Sequence, residues 1–335
     1  MVSVKEQLHK RATELGFDAF GVCSIPVDLR RDYYREWIRQ GKHGTMGWME
    51  RNHERRLYPE QIISRARSIV VLGMNYYQAN PERRGQIAKY ALGQDYHTII
   101  YKKLKLLCTV MRSCGGEQKP YVDTGPVLEK PLAALAGIGW QGKSTIVLNR
   151  EQGTWLFLGV IITTLELEPS ERAKDYCGSC SRCMAACPTQ AITAPYQLDA
   201  RKCIAYLTIE HDGPIPVEYR QAIGDRLFGC DDCLDVCPWN RWATETREAK
   251  FSLRAYPDLR AMLNWSEGDF EHHFRGTPMQ RAKLHRWLRN VCIVLGNIGT
   301  TEDVPLLQDK LDHADPVVAE SANWAIAQIV GRTQP

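Results

Sequence analysis

Cys177-Gly-Ser-Cys180-Ser-Arg-Cys183-Met-Ala-Ala-Cys187-Pro188 is the stretch on which the reading of this chain turns. The spacing C-x2-C-x2-C places three thiolates on one tight loop, where they reach three irons of a single cubane. The fourth, at the start of the next helix, faces away toward a second cubane, and the proline turns the chain. A second run, Cys230-Asp-Asp-Cys233-Leu-Asp-Val-Cys237-Pro238, repeats the last three cysteines and the proline. Its missing first cysteine would fall at Leu227, and Cys203 in Ala200-Arg-Lys-Cys203-Ile can fill that place. Eight thiolates then serve two 4Fe–4S clusters that exchange ligands. Cys177, Cys180, Cys183 and Cys237 hold the first; Cys187, Cys203, Cys230 and Cys233 hold the second. Thiolates also suit zinc, and a pair of structural zinc sites is the competing reading. The two Cys-Pro endings favour iron and sulfide.

The first run has the spacing of bacterial ferredoxins, but 335 residues far exceed a two-cluster ferredoxin. At roughly 150 residues per domain the length suggests two or three domains. Hydrophobic residues at 44% and charged residues at 24% exclude a wholly disordered chain. The longest apolar stretch, Trp155–Ile162, is too short to span a bilayer. Met1-Val-Ser-Val-Lys-Glu-Gln-Leu-His-Lys10 carries charge where a signal peptide is apolar, so no export, no membrane and a cytoplasmic location are expected. In a reducing cytoplasm the clustered cysteines read as metal ligands rather than disulfides. Cys23, Cys108, Cys114 and Cys292 stand alone and read as small core residues. A net charge of +4 does not by itself announce a nucleic-acid binder.

The expected fold class is α+β, in three parts. Residues 1–165 read as an α/β domain: a helix over 3–16, strands at Phe17–Ser24, Ser68–Met74, Thr145–Asn149 and Trp155–Leu165, and helices at Ile99–Arg112 and Leu128–Ala136. Residues 166–240 form the ferredoxin-like module and 241–277 a connection. In 278–335, Leu284, Leu288, Val291 and Leu295 keep helical spacing, with Gly296 and Gly299 expected to end that helix. Val304–Leu311 is a second helix, and Asp315-Pro316 starts a third. This texture suggests a HEAT-like fragment; a plain helical hairpin fits as well.

Gly137-Ile-Gly139-Trp-Gln-Gly142-Lys143-Ser144 satisfies two nucleotide-binding patterns, yet both need a strand before and a helix after. Here the helix-like segment comes first and the strand-like one second. The better reading is a glycine turn that lets backbone approach something closely.

Several motifs closely resemble epoxyqueuosine reductase. They are Val122-Asp123-Thr-Gly-Pro126-Val-Leu-Glu-Lys-Pro131, Ala136–Ser144, Lys89-Tyr-Ala-Leu-Gly-Gln-Asp95-Tyr96-His97, and Arg201-Lys-Cys203-Ile-Ala-Tyr-Leu-Thr208-Ile-Glu210. Leu227–Cys233, Cys237-Pro-Trp-Asn240-Arg, Arg286-Trp-Leu-Arg-Asn290 and Trp324-Ala-Ile-Ala-Gln328 join them. The resemblance covers nearly the whole chain. It implies cobalamin-dependent reduction of epoxyqueuosine to queuosine at the wobble position of tRNA, with electrons fed singly through the two clusters. It also implies a corrinoid-binding N-terminal domain and a HEAT-like C-terminal region that binds tRNA.

In residue terms the resemblance makes Asp123 the proton donor beside the epoxide, a role that burial would support by raising its pKa. It sets Arg56, Ala88, Asp123 itself, Val147, Leu158, Cys230, Asp231 and Asn240 against the corrinoid, Ala88 standing where some relatives carry cysteine. Asp95, Tyr96 and His97 form a polar knot, in which His97 is either a helix cap or part of the active site. Thr208 and Glu210 match tRNA contacts. Lys283, Arg286 and Arg289, in a stretch from His272 to Thr301 without Asp or Glu, suggest a phosphate-binding ridge. A corrinoid reductive dehalogenase working on a small molecule is the alternative. A simple electron carrier leaves the large N-terminal domain unexplained. The electron donor is unidentified, and a monomer is the expected state.

Overall fold

The computed structural model describes residues 2–79 and 85–333. Helix α1 (Val4–Glu14) starts at a capping box between Ser3 and Glu6 and is followed by strand β1 (Ala19–Ser24). Helix α2 (Arg31–Arg39) and strand β2 (Ser68–Asn75) come next. Helix α3 (Tyr96–Ser113), strand β3 (Gln118–Tyr121), helix α4 (Glu129–Leu135) and strand β4 (Leu156–Thr163) complete the N-terminal part. The sheet order is β1-β2-β4-β3, with every pair antiparallel. This corrects the α/β expectation for 1–165: the part is α+β. Its strands read as parallel-sheet strands because both faces are covered.

Alternation along the central strands divides their side chains between two cores. Val70, Leu72 and Ile161 pack with Leu8, Ile100, Leu104 and Leu107 of α1 and α3. Ile69, Val71, Val160 and Ile162 pack with Leu132 and Ala133 of α4. Gly21 is required in β1, since a Cβ there would lie 1.9 Å from the Ala136 carbonyl oxygen. The expected helices and strands recur within a few residues, the exception being Thr145–Asn149, reduced to Val147–Leu148 paired with Trp140–Gln141.

The cysteine module carries two short helices, Arg182–Ala185 and Asp232–Asp235, one in each run. Helix α5 (Ile204–Ile209) follows Cys203. Residues 241–277 are more than a connection. Their helices Leu259–Leu263 and Glu267–Phe274 bury Met262, Leu263, Phe270 and Phe274. Helix α6 (Lys283–Ile298) runs through Gly296, where a Cβ would lie 2.5 Å from the Trp324 ring. That glycine therefore admits a neighbouring helix instead of ending its own. Helix α7 (Val304–Gln308) leads to α8 (Pro316–Thr333), where Asp315 accepts the Val317 N–H at 2.8 Å. Trp287 sits in one continuous core with Ile204, Phe228, Phe274, Val291 and Ala325, so the C-terminal helices are joined to the cysteine module. Among the described residues no helix is long and apolar enough to cross a membrane.

Candidate functional site

The thiols gather into two sets. Cys237 lies near enough to Cys177, Cys183 and Cys180 for their charges to act on it, and burial with those charges pushes it up to about 11. Cys233 stands in the same relation to Cys203, Cys230 and Cys187, and burial raises it further. Each run thus lends one cysteine to the other set, as the spacing requires. Among the described residues no three His, Cys, Asp or Glu side chains converge tightly enough for a single metal ion. Two sets of four thiols, with both runs ending in Cys-Pro, suit multi-iron clusters better than zinc. The glycine turn wraps the first set: a Cβ on Gly142 would meet Cys177 Sγ at 3.4 Å, and Lys143 Nζ donates to the Gly178 and Cys180 carbonyls at 2.6 and 2.9 Å.

Asp123 follows β3 at φ +53, a left-handed conformation that Asp tolerates. Its N–H donates to Glu129 Oε1. Its Oδ2 accepts from the Tyr96 hydroxyl at 2.9 Å and faces His97 Nε2 at 3.1 Å. His97 Nδ1 faces Asp95 Oδ1 at 2.7 Å, while that same oxygen accepts the His97 N–H and caps α3. Asp95 is therefore the cap, and His97 bridges two carboxylates. Burial opposes its charge, yet the hydrogen bonds from Asp123 and Asp95 raise His97 to about 9. Burial also acts to raise Asp123, but His97, Tyr96 and Arg281 outweigh it and the carboxyl is lowered. This corrects the expectation of a raised Asp123. The raised carboxyl is Glu129, pushed to about 8 by burial and by the charge of Asp123.

The sign of the His97 shift yields a prediction. A folded value above the ordinary 6.5 means that the stability from its pairing is fully present below pH 6.5 and is lost as pH rises to about 9. The His97 ring resonances should titrate near pH 9 by NMR, with thermal stability declining over the same window. A midpoint near 6.5 would show that the two carboxylates do not hold the ring charged.

Asp123 opens onto a cavity of about 330 Å³ that is continuous with solvent. Its walls are mostly aromatic and aliphatic, with Tyr33, Trp37, Trp48, Met46 and Val127 among them. Buried Arg56 donates to the Gly125 and Trp48 carbonyls at 3.0 and 3.4 Å, but its Nε and Trp48 Nε1 have no partner among the described residues. A wide apolar space with idle donors on its wall suits a large flat group rimmed by amide or phosphate oxygens. Lys130, also on the wall, is lowered by burial and feels the charges of Asp123, Cys233, Glu129 and Cys203. The second thiol set therefore lies toward the cavity.

Of the residues expected against a corrinoid, Arg56 and Asp123 line this cavity. Ala88, Val147, Leu158 and Asn240 do not. The Ala88 N–H is given to the Phe228 carbonyl at 2.8 Å, Val147 pairs with Gln141, and Leu158 lies opposite Gly73. Asn240 accepts from the Thr154 N–H and hydroxyl at 2.9 and 3.0 Å and donates to the Leu234 carbonyl at 2.6 Å. Asp231 accepts the Lys89 N–H at 2.7 Å and is raised to about 6 by burial. Cys230 belongs to the second thiol set. Trp48, Glu129, Lys130 and Arg281 were not singled out from the sequence. Glu129 and Lys130 stood inside the Asp123 motif, which was the signal available.

The phosphate ridge needs correction. Arg289 is fully buried, donating to the Leu207, His211 and Gly213 carbonyls at 2.8, 2.8 and 2.7 Å. Arg286 donates to the Ile209 and Glu210 carbonyls at 2.9 and 3.3 Å. Both arginines satisfy carbonyls that α5 leaves unpaired at its C-terminal end. Of the three, Lys283 remains exposed. Thr208 is also buried, donating to the Ile204 carbonyl at 2.7 Å and accepting the Gly229 N–H at 3.0 Å, so it presents nothing to a base. Glu210 is held by Arg281, whose guanidinium lies 5.8 Å from the Trp48 ring at the cavity.

Arg289→Ala should accordingly act on stability. Each buried acceptor left unpaired costs about 1–3 kcal/mol, so a loss on the order of 3–5 kcal/mol is expected in urea unfolding. The tRNA affinity of the folded fraction should stay unchanged. Weakened tRNA binding at unaltered stability would restore the ridge.

Two cysteine sets beside a cavity whose wall carries an imidazole-bonded carboxylate define an iron–sulfur redox enzyme. A profile described as "4Fe-4S double cluster binding domain" matches residues 176–240, and one described as "Epoxyqueuosine reductase QueG, DUF1730" matches residues 56–124. The chain belongs to the epoxyqueuosine reductase family. It is 40% identical to the epoxyqueuosine reductase of Xanthomonas campestris pv. campestris, over 96% of this chain and 95% of that one. It is 36% identical to that of Escherichia coli K12, over 98% and 90%. A crystal structure of epoxyqueuosine reductase with an epoxyqueuosine-modified tRNA-Tyr stem loop superposes with a TM-score of 0.92 at 31% identity, covering 97% of this chain and 90% of that one. The Bacillus subtilis epoxyqueuosine reductase, solved with its catalytic aspartate loop swung out of the active site, gives 0.89 at 30%, covering 97% and 90%.

Proposed function

We infer that this protein reduces epoxyqueuosine to queuosine in tRNA, with cobalamin in the Asp123 cavity and electrons arriving through two 4Fe–4S clusters. The observation that carries the reading is Asp123 itself: a carboxylate hydrogen-bonded to a charged His97, at the wall of a cavity toward which the second thiol set lies. The small-molecule dehalogenase reading gives way, since relatives of 35–40% identity along nearly the whole chain carry the tRNA-modifying name.

Arg56 and Trp48 would bind the corrinoid rim through their idle N–H groups, and the aromatic wall would cover its face. Held there, cobalamin would supply the low-valent metal that serves as reductant. The chain's own task is protonation. Opening the epoxide and expelling its oxygen as water takes two electrons and two protons. The Asp123–His97 pair stores one proton, held on His97 while water reaches the half-exposed Asp123 side chain. Filling the cavity removes that water. The separated charges become costlier, and the proton moves onto Asp123, where it faces the substrate. Tyr96 keeps the receiving oxygen in place.

Residues 1–165 would then be the corrinoid-binding catalytic part, 166–240 the electron relay, and the helices from 278 on a HEAT-like flank, with Lys283 and the Glu210–Arg281 pair facing the tRNA. The test is anaerobic reconstitution with iron, sulfide and cobalamin, followed by nucleoside analysis of tRNA carrying epoxyqueuosine. Queuosine should appear only with all three present.

A further inference from the structure

The first thiol set lies under a surface that chemistry at Asp123 does not use. Cys237 and Pro238 open into a groove floored by Ala185 and Val236 and flanked by exposed Arg182 and Arg241. Beside it, Trp239 stands 5.5 Å from Trp242 and 5.9 Å from Tyr176, ring centre to ring centre. Trp242 is 48% exposed and Tyr176 39%, large apolar areas to leave in water. Arg241 lies 3.7 Å over the Trp242 ring and Arg150 4.2 Å over Tyr176. Among the described residues no carboxylate pairs with Arg150, Arg182 or Arg241. The groove's own acid, Asp235, is taken by Lys89 at 2.7 Å. Beyond Tyr176 the acids Glu151 and Glu171 stand among Arg150, Arg172 and Lys174, so the surplus of positive charge lies on the groove side.

The groove and the Asp123 cavity share no lining residue. Cys237 of the first set lines the groove, whereas Lys130 on the cavity wall feels Cys233 and Cys203 of the second, so the first set is on the groove side and the second on the cavity side. Aromatic rings beside unpaired arginines are the composition of a protein-docking face. We propose that this groove docks a small acidic electron-carrier protein, which reduces the first cluster. The proposal rests on the reading above for the destination of the electrons. In each encounter the reduced carrier loses one electron and the cluster gains one. Two encounters supply the two electrons that, with two protons, turn epoxide into alkene and water. RNA also favours arginine and aromatic rings, but substrate must reach Asp123, and this face leads to the wrong cluster.

The test uses the reconstituted holoenzyme and reduced flavodoxin, an acidic carrier. Stopped-flow bleaching of the clusters should give a second-order rate that falls with rising salt. Arg182→Glu with Arg241→Glu should slow it about 10- to 100-fold at low salt and flatten the salt dependence. Reduction by dithionite and affinity for tRNA should be unchanged. A carrier rate and salt dependence equal to wild type would overturn the proposal. So would a loss of tRNA affinity with the carrier rate intact, which would assign the face to RNA. If charge reversal lowers iron content, Arg182→Gln with Arg241→Gln carries the same comparison, and an unchanged carrier rate there is equally fatal. Cluster reduction is read without tRNA, so normal carrier kinetics with no epoxide turnover would count against the substrate and not against the docking face.

Discussion

Asp123→Asn is expected to keep both clusters and bind cobalamin normally while turnover falls about 10²- to 10⁴-fold, the usual worth of a positioned general acid. The substitution preserves shape and can still accept from Tyr96, so the loss is chemical. It also removes one of the two carboxylates that hold the His97 proton. The His97 titration should therefore fall from about 9 toward its ordinary range in the same variant. The two readings separate the alternatives. Slow turnover with an unshifted His97 would mean that Asp123 acts without the imidazole. Near-normal turnover would return Asp123 to the role of a turn residue stabilised by its left-handed backbone.

Cys203→Ser should have a larger effect, although Cys203 belongs to neither cysteine run. Its thiol stands with Cys187, Cys230 and Cys233, and a serine hydroxyl is a poor replacement for a thiolate at iron. Iron should fall from about eight to about four atoms per chain, with the first cluster retained. Turnover should drop below detection even with dithionite, because the second cluster lies on the cavity side. Full iron content in Cys203→Ser would break the proposed ligand set. About two zinc ions per wild-type chain and no labile sulfide would break the iron–sulfur assignment itself.

Much of this was readable from residue order, and the failures have physical causes. Thiol spacing is set by the metal cluster, so the cysteine pattern carried both the module and the grouping of the thiols into two sets. Apolar runs such as Ser68–Asn75 told that strands are buried, but burial on both faces does not record strand direction, and the antiparallel pairing was missed. Arg286 and Arg289 looked like an exposed phosphate-binding ridge because charge at helical spacing is usually exposed. Helix α6 instead runs through the core, and its arginines turn inward to the carbonyl ends of α5. The Asp95–His97–Asp123 chain joins a helix cap to a loop residue 26 positions beyond His97, and only folding shows that both His97 nitrogens are taken. The cavity wall was hidden for the same reason. Trp37, in α2, and Trp48 lie in a charged stretch whose partner across the cavity, Val127–Pro131, is about 80–90 residues further on, and only folding brings the two together.

The most direct measurement of the central claim is single-turnover reduction by the fully reconstituted, reduced enzyme, followed by mass analysis of the wobble nucleoside. tRNA carrying epoxyqueuosine should yield a nucleoside lighter by one oxygen atom, and no conversion should occur when cobalamin is left out or the clusters are left oxidised. Epoxyqueuosine recovered unchanged from an enzyme with loaded, reduced clusters and bound cobalamin would contradict the account.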